Sequence, residues 1–191
     1  MSETIQPFEA VSTDVTDAAV AAVMQSPVLT QTALAIGTCN AQLCAIAART
    51  YLKGEQIVRL TGALVAKPSR FSVQVGEGQH IEPPSGAALE ELIGEHTWRY
   101  MNHSCDPNTA FRGRSLFALR TIAAGEEVRF HYAATEYEMA EPFICHCGAA
   151  QCVGSVQGYR HMSSAQREQI AAFAQPHVLA AAHREDHNTQ A

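Results

Sequence analysis

At 191 residues and 47 % hydrophobic content, the chain is long enough for one domain with a core of its own plus short appendages, and too short for two large domains. A formal net charge of −6, spread without long blocks of one sign, argues against nucleic acid as a partner, because neutralising phosphates takes clustered Lys and Arg; a basic peptide suits it better. No run approaches the ~20 apolar residues of a membrane span, and the first ten residues carry acids where a secretory signal carries Lys or Arg, so a cytoplasmic protein with no membrane partner is expected.

Along residues 14–24 the apolar side chains Val15, Ala18, Ala19, Ala22 and Val23 recur at helical spacing, which predicts an amphipathic helix ended by Pro27 within an N-terminal helical extension, 1–29. From 33 to 64 the pattern changes to short runs of Ile, Val and Leu broken at Gly37, Gly54 and Gly62, the pattern of successive strands and turns. The run Arg49-Thr50-Tyr51-Leu52-Lys53-Gly54-Glu55-Gln56-Ile57 is echoed in kind by Arg120-Thr121-Ile122-Ala123-Ala124-Gly125-Glu126-Glu127-Val128, and each predicts strand, tight turn, strand. A strand is expected at 71–75, a loop at 76–84, a short helix at 87–93, and further strands at 116–119 and 127–132. Ser163 and Gln166 fit a capping box for a helix reaching about residue 174. Pro176 is expected to interrupt the helical pattern beyond it, and 183–191 to fray.

The six cysteines are unevenly placed, with Cys145, Cys147 and Cys152 crowded into one short segment beside the flexible Gly148. Three thiolates in a reducing compartment favour a structural zinc ion, which takes four ligands. Cys105 is the strongest candidate for the fourth and His146 the alternative; the competing reading of the trio is a disulfide pair plus a free thiol. Cys39 and Cys44 read as buried small hydrophobes.

Three strings in order carry a resemblance: Asn102-His103-Ser104-Cys105-Asp106-Pro107-Asn108, then Gly125-Glu126-Glu127-Val128-Arg129-Phe130-His131-Tyr132, then Cys145-x-Cys147-x4-Cys152-x-Gly154. Together they resemble the signature of SET-domain methyltransferases with a post-SET zinc-binding segment. The resemblance covers roughly 30–158. It implies a mainly β fold with short helices: a SET-domain β-clip-like fold with a pseudoknot over 30–133, a post-SET zinc loop over 141–158, and a C-terminal helix and tail over 162–191. By the same resemblance Asn102 and His103, with Tyr100 beside them, would hold S-adenosylmethionine. Tyr132 would place its hydroxyl at the methyl-transfer centre, Phe143 and Phe130 would wall the substrate channel, and Cys105, Cys145, Cys147 and Cys152 would bind zinc. Tyr137 is a further candidate for an aromatic wall. The sequence departs from the family in two places. Gln42-Leu43-Cys44 stands where a Gly-x-Gly pair usually brings backbone close to the cofactor, and His131 stands where an acid is commoner.

The implied activity is methylation of a protein lysine by S-adenosylmethionine. Two rival readings are a SET-like binding module without turnover, and a methyltransferase for a small amine or another non-protein nucleophile. A zinc hydrolase does not fit, because four thiolates leave no open position for water.

Overall fold

The computed structural model describes residues 33–189, so the helix expected at 14–24 and the N-terminal extension lie outside the described residues. Among them the strands are β1 (Leu34–Cys39), β2 (Gln42–Ala47), β3 (Gln56–Arg59), β4 (Ala63–Val65), β5 (Val73–Gly76), β6 (Gln79–Glu82), β7 (Asn102–His103), β8 (Thr109–Arg112), β9 (Ser115–Ala118), β10 (Arg129–Phe130), β11 (Phe143–Ile144) and β12 (Ser155–Val156). Three helices join them: α1 (Leu89–Gly94), α2 (Ser164–Ile170) and α3 (Pro176–Thr189). The result is the expected mainly β fold with short helices. No helix among the described residues is long and apolar enough to cross a membrane.

The strands form small sheets: a β1–β2 hairpin, a β8–β9 hairpin with the distant β3 added along β9, a β4-β6-β5 sheet, a parallel β7–β10 pair and a β11–β12 pair. Their inner faces meet in one core containing Leu34, Tyr51, Leu60, Ile81, Trp98, Leu116, Ile122 and Val128. A fully buried side chain of this kind stabilises the fold by about 1.5–3 kcal/mol. A second core of Ala133, Ala134, Tyr159, Met162, Ile170, Val178 and Ala182 fastens α2 and α3 to the end of the strand region.

The echoed segments meet each other. Tyr51 and Ile122 form an antiparallel bridge, exchanging both backbone hydrogen bonds at 2.9 Å. Each segment then closes the same turn: Arg49 pairs with Glu55 at 2.5 Å and Arg120 with Glu126 at 2.6 Å. Gly54 and Gly125 sit at φ +83° and +80°, where a Cβ would be disfavoured. The pieces that the sequence repeats are therefore a matched pair of turns around one seam, with Tyr51 and Ile122 buried in it.

Several expectations need correction. The loop expected at 76–84 contains β6, because Gly78 at φ +59° closes a tight hairpin from β5 that carries His80 and Ile81 into the interior. The strand expected at 127–132 is cut to Arg129–Phe130, because the backbone coils into a 3-10 turn at Tyr132–Ala134. Ser163 and Gln166 do form the capping box, but α2 ends at Ile170. Pro176 opens α3 instead of interrupting a helix; proline tolerates a first helical position, where its missing N–H costs nothing. The expected fraying from 183 is replaced by helix to Thr189, since Val178 and Ala182 pack into the second core, Arg184 pairs with Glu77 and Arg160 with Glu185.

One buried polar group ties the β4-β6-β5 sheet to the strand end. Glu136 accepts the Gln74 N–H at 2.6 Å and faces His80 Nε2 at 3.7 Å. Burial raises its carboxyl to about 7.

Candidate active site and thiol cluster

The β7–β10 pair builds the centre of the site. Asn102 lies opposite Arg129 and His103 opposite Phe130 in parallel register, and the Ser104 N–H continues the ladder to the Phe130 carbonyl at 3.0 Å. Two segments some 27 residues apart in sequence are thus laid side by side, as the expected pseudoknot requires. Asn108, fully buried, sews them together: Nδ2 donates to the Glu127 carbonyl at 2.8 Å and to Glu126 Oε1 at 3.2 Å, and Oδ1 accepts the Arg129 N–H at 2.8 Å. Sequence reasoning gave Asn108 no role; the signal was its place at the end of the Asn102–Asn108 string.

Tyr132 follows β10 directly. Its hydroxyl donates to the Met101 carbonyl at 2.8 Å, so it points back at the residue preceding Asn102. Burial pushes the hydroxyl well above the usual phenol range, so it stays protonated at neutral pH. Its ring lies in an aromatic group: Phe130 at 4.8 Å, His103 at 5.3 Å and Phe143 at 5.9 Å between centroids. Phe130 also packs edge-on against Phe111 within the core, while Phe143 is half-buried at the start of β11. Tyr137 is a correction: it belongs to the second core and its hydroxyl donates to Glu185 of α3, so it is no wall of this site.

Asn102 is half-buried and Nδ2 donates to Glu127 Oε1 at 2.8 Å. Tyr100, on a 3-10 turn at Thr97–Tyr100, packs between the main core and the cluster of Ile36, Leu43, Leu89 and Ile93. Its buried hydroxyl meets no hydrogen-bond partner of good geometry among the described residues, and Arg99 lies 5.1 Å from its ring centroid.

Cys105, Cys145, Cys147 and Cys152 gather with all four sulfurs within 4.8 Å of one another, Cys105 and Cys145 being 3.9 Å apart. None is disulfide-bonded. Burial pushes the Cys105 and Cys145 thiols up, Cys145 to about 11. Cys147 is lowered to about 7: burial works to raise it, and the Ala149 and Cys105 N–H groups and the neighbouring thiols outweigh burial. His146 is exposed and outside the group.

His103 joins the cluster to the site. Its Nδ1 accepts the Tyr132 N–H at 3.2 Å, which leaves the proton of the neutral ring on Nε2, 3.2 Å from Cys105 Sγ. Burial, with His131 nearby, lowers its pKa to about 3, so the ring is neutral. Both ring nitrogens are therefore engaged inside the protein, and the ring orients Cys105 and Tyr132 instead of reaching outward. His131, itself lowered to about 4 by burial, packs edge-on at 4.8 Å and takes the place of the acid common in the family.

A second correction concerns Cys39 and Cys44, which are joined in a disulfide with Cα atoms 5.8 Å apart. Cys39 lies opposite Gln42 across the hairpin, so Cys44 is its diagonal neighbour on the same face. The signal was a two-residue turn, Asn40-Ala41, between strands; the assumption of a reducing compartment hid it.

Residues 42–133 match the family model described as SET domain. The chain is 32 % identical over 131 residues to methyltransferase flvH of Aspergillus flavus, covering 65 % of this chain and 66 % of that one. It is 40 % identical over 129 residues to an H3 lysine-36 specific histone-lysine N-methyltransferase of Yarrowia lipolytica, covering 60 % of this chain and 17 % of that one. It is 28 % identical over 120 residues to histone-lysine N-methyltransferase ash1 of Drosophila melanogaster, covering 56 % of this chain and 5 % of that one. The chain thus spans 66 % of the length of the first relative and far less of the other two. A solved structure of KRYPTONITE in complex with mCHG DNA and SAH is 18 % identical with a TM-score of 0.46, covering 62 % of this chain and 27 % of that one, too loose a likeness to place individual residues.

Proposed function

Because this chain carries a SET domain and belongs to the SET-domain methyltransferases, we propose that it transfers a methyl group from S-adenosylmethionine to the side-chain amine of a protein lysine. The observation that carries the reading is the Tyr132 hydroxyl bonded to the Met101 carbonyl, directly beside the Asn102–Phe130 seam and within an aromatic group.

The residues present fit both groups the family implies. Zinc–sulfur bonds of ~2.3 Å in a tetrahedron put sulfurs ~3.8 Å apart; Cys105 and Cys145 stand at 3.9 Å, and all four thiols fall within 4.8 Å. Cys105, Cys145, Cys147 and Cys152 would hold the metal as a closed structural site, with the His103 Nε2–H donating to the Cys105 sulfur. For the cofactor, Asn102 and the Tyr100 hydroxyl offer polar groups beside the β1–β2 hairpin. When bound, S-adenosylmethionine supplies an electrophilic methyl group on a sulfonium.

The work left to the protein is positioning and proton control. A free lysine, with a pKa near ~10.4, is cationic at neutral pH and cannot act as nucleophile. Burial of the amine against the rings of Tyr132 and Phe143 would disfavour the charged ammonium by desolvation. The Tyr132 hydroxyl, held protonated, orients the amine through hydrogen bonding and is too weak an acid to serve as an ionised base. The aromatic faces favour the cationic product.

The test is incubation with methyl-labelled S-adenosylmethionine and, in parallel, histone peptides and small diamines, followed by mass spectrometry. A gain of methyl mass on a peptide lysine supports the reading. Methylation confined to small amines replaces the substrate, and cofactor binding by calorimetry without any transfer leaves a binding module.

A further inference from the structure

The Cys39–Cys44 disulfide closes the β1–β2 hairpin beside Glu127, and nothing in the proposed reaction uses it. Both sulfurs lie within 4.8 Å of a carboxylate oxygen of Glu127. Glu127 in turn accepts from Asn102 Nδ2 at 2.8 Å, and its backbone bridges to Ile46 of β2. A continuous chain of contacts therefore runs from the hairpin tip through Glu127 to Asn102.

The tip it closes is conformationally costly. Asn40 and Ala41 both have positive φ, +51° and +61°, with no glycine between the strands. Asparagine tolerates that region, but an alanine there costs roughly 1 kcal/mol or more, and persists only where the surroundings hold it. The covalent bond from Cys39 to Cys44 is such a restraint, because it closes the hairpin just outside the turn.

We propose that Cys39 and Cys44 form a reversible redox-modification site that gates cofactor binding: the disulfide holds the hairpin tip against Glu127 and so fixes Asn102, and the dithiol releases it. The inference rests on the assignment of S-adenosylmethionine to this site.

The chemistry is thiol–disulfide exchange with a small-molecule disulfide such as glutathione disulfide. Cys39, half-buried and the more accessible of the two, attacks as thiolate; one glutathione sulfur leaves and takes a proton. The Cys44 thiolate then displaces the second glutathione from Cys39, which also leaves as a thiol. Two protein thiols become one S–S bond, and the two electrons and two protons end on the two glutathione molecules.

The test is titration calorimetry with S-adenosylmethionine on the full chain poised in oxidised and reduced glutathione. The state of the Cys39–Cys44 pair is read by alkylation and mass, and zinc content is measured in both samples so that loss of metal is separated from opening of the pair. The oxidised protein is expected to bind at least ~10-fold more tightly. Cys39→Ser, at a half-buried position, is expected to bind like the reduced protein and to be indifferent to the redox buffer. Equal affinity in both states, or a Cys39→Ser variant as tight as the oxidised protein, overturns the gate while leaving the methyltransferase reading intact. Absence of binding in both states overturns the cofactor assignment and the gate with it.

Discussion

At Tyr132 the hydroxyl donates to the Met101 carbonyl, and burial keeps it protonated. Tyr132→Phe removes that bond while keeping the ring among Phe130, His103 and Phe143. The expected result is a fall in kcat of roughly a hundredfold, the size typical for deleting one oriented donor at a reacting centre, with S-adenosylmethionine affinity in calorimetry nearly unchanged. Full activity in the variant would remove Tyr132 from the chemistry. Glu136 lends itself to a pH experiment. Its folded-state pKa of about 7 lies above the ordinary 4.5, so between those values the folded protein holds a proton that the unfolded chain has released. Stability from this group is full below the lower value, falls as pH rises through the window, and is gone above about 7, a loss of up to about 3 kcal/mol. Burial depresses His80 and His177, which act in the opposite sense, losing their contribution as pH falls. Glu136→Gln keeps an oxygen for the Gln74 N–H and carries no charge. Urea melts are therefore expected to show it more stable than the unaltered protein at pH 8 and nearly equal at pH 4.5; a difference independent of pH would contradict the assignment.

At the level of elements, the short β7–β10 pair depends on a side chain outside both strands. Asn108→Ala strips partners from the Arg129 N–H and the Glu127 carbonyl in a fully buried place, and each buried group left unpaired costs about 1–3 kcal/mol. A loss of about 3 kcal/mol or more in denaturant unfolding is expected, with cofactor affinity falling alongside, because Asn102 is held in the same seam. A variant as stable as its parent would show that β7 and β10 pair without it. The elements legible in the sequence were those with local causes: the capping box at Ser163 and Gln166, the hairpin runs after residue 33, and the paired turns at Gly54 and Gly125. The elements that escaped depended on distant partners. The β6 strand is short, preceded by Gly78 and followed by Pro83 and Pro84, and only its pairing with β4 and β5 makes it a strand. Pro176 reads as a break until Val178 is seen packed against Tyr159 and Ile170 in the second core. The thiol cluster was legible because residue identity and motif order named it. The Cys39–Cys44 bond was missed although the Asn40-Ala41 turn pointed to it, because a reducing compartment was assumed and the diagonal register shows only once the strands pair.

For the molecule as a whole, the four thiols link the strand region to the 145–152 loop, and His103 carries that link to Tyr132. If they bind zinc, metal binding is folding energy, since the site does not exist in the unfolded chain. Purified protein is expected to contain about one zinc per chain by elemental analysis. Chelation is expected to lower the midpoint of thermal unfolding and to cut methyl transfer, with both restored by zinc; unchanged melting after verified removal would refute a structural metal. The seam between β7 and β10 has an implication for biosynthesis. A chain emerging from the ribosome has made Asn102 long before Phe130, and the last cysteine comes later still, so no intermediate length possesses a working pocket. Competence arrives at once, with the final stretch, and a protein truncated anywhere before residue 152 should be inert however well its earlier strands have formed.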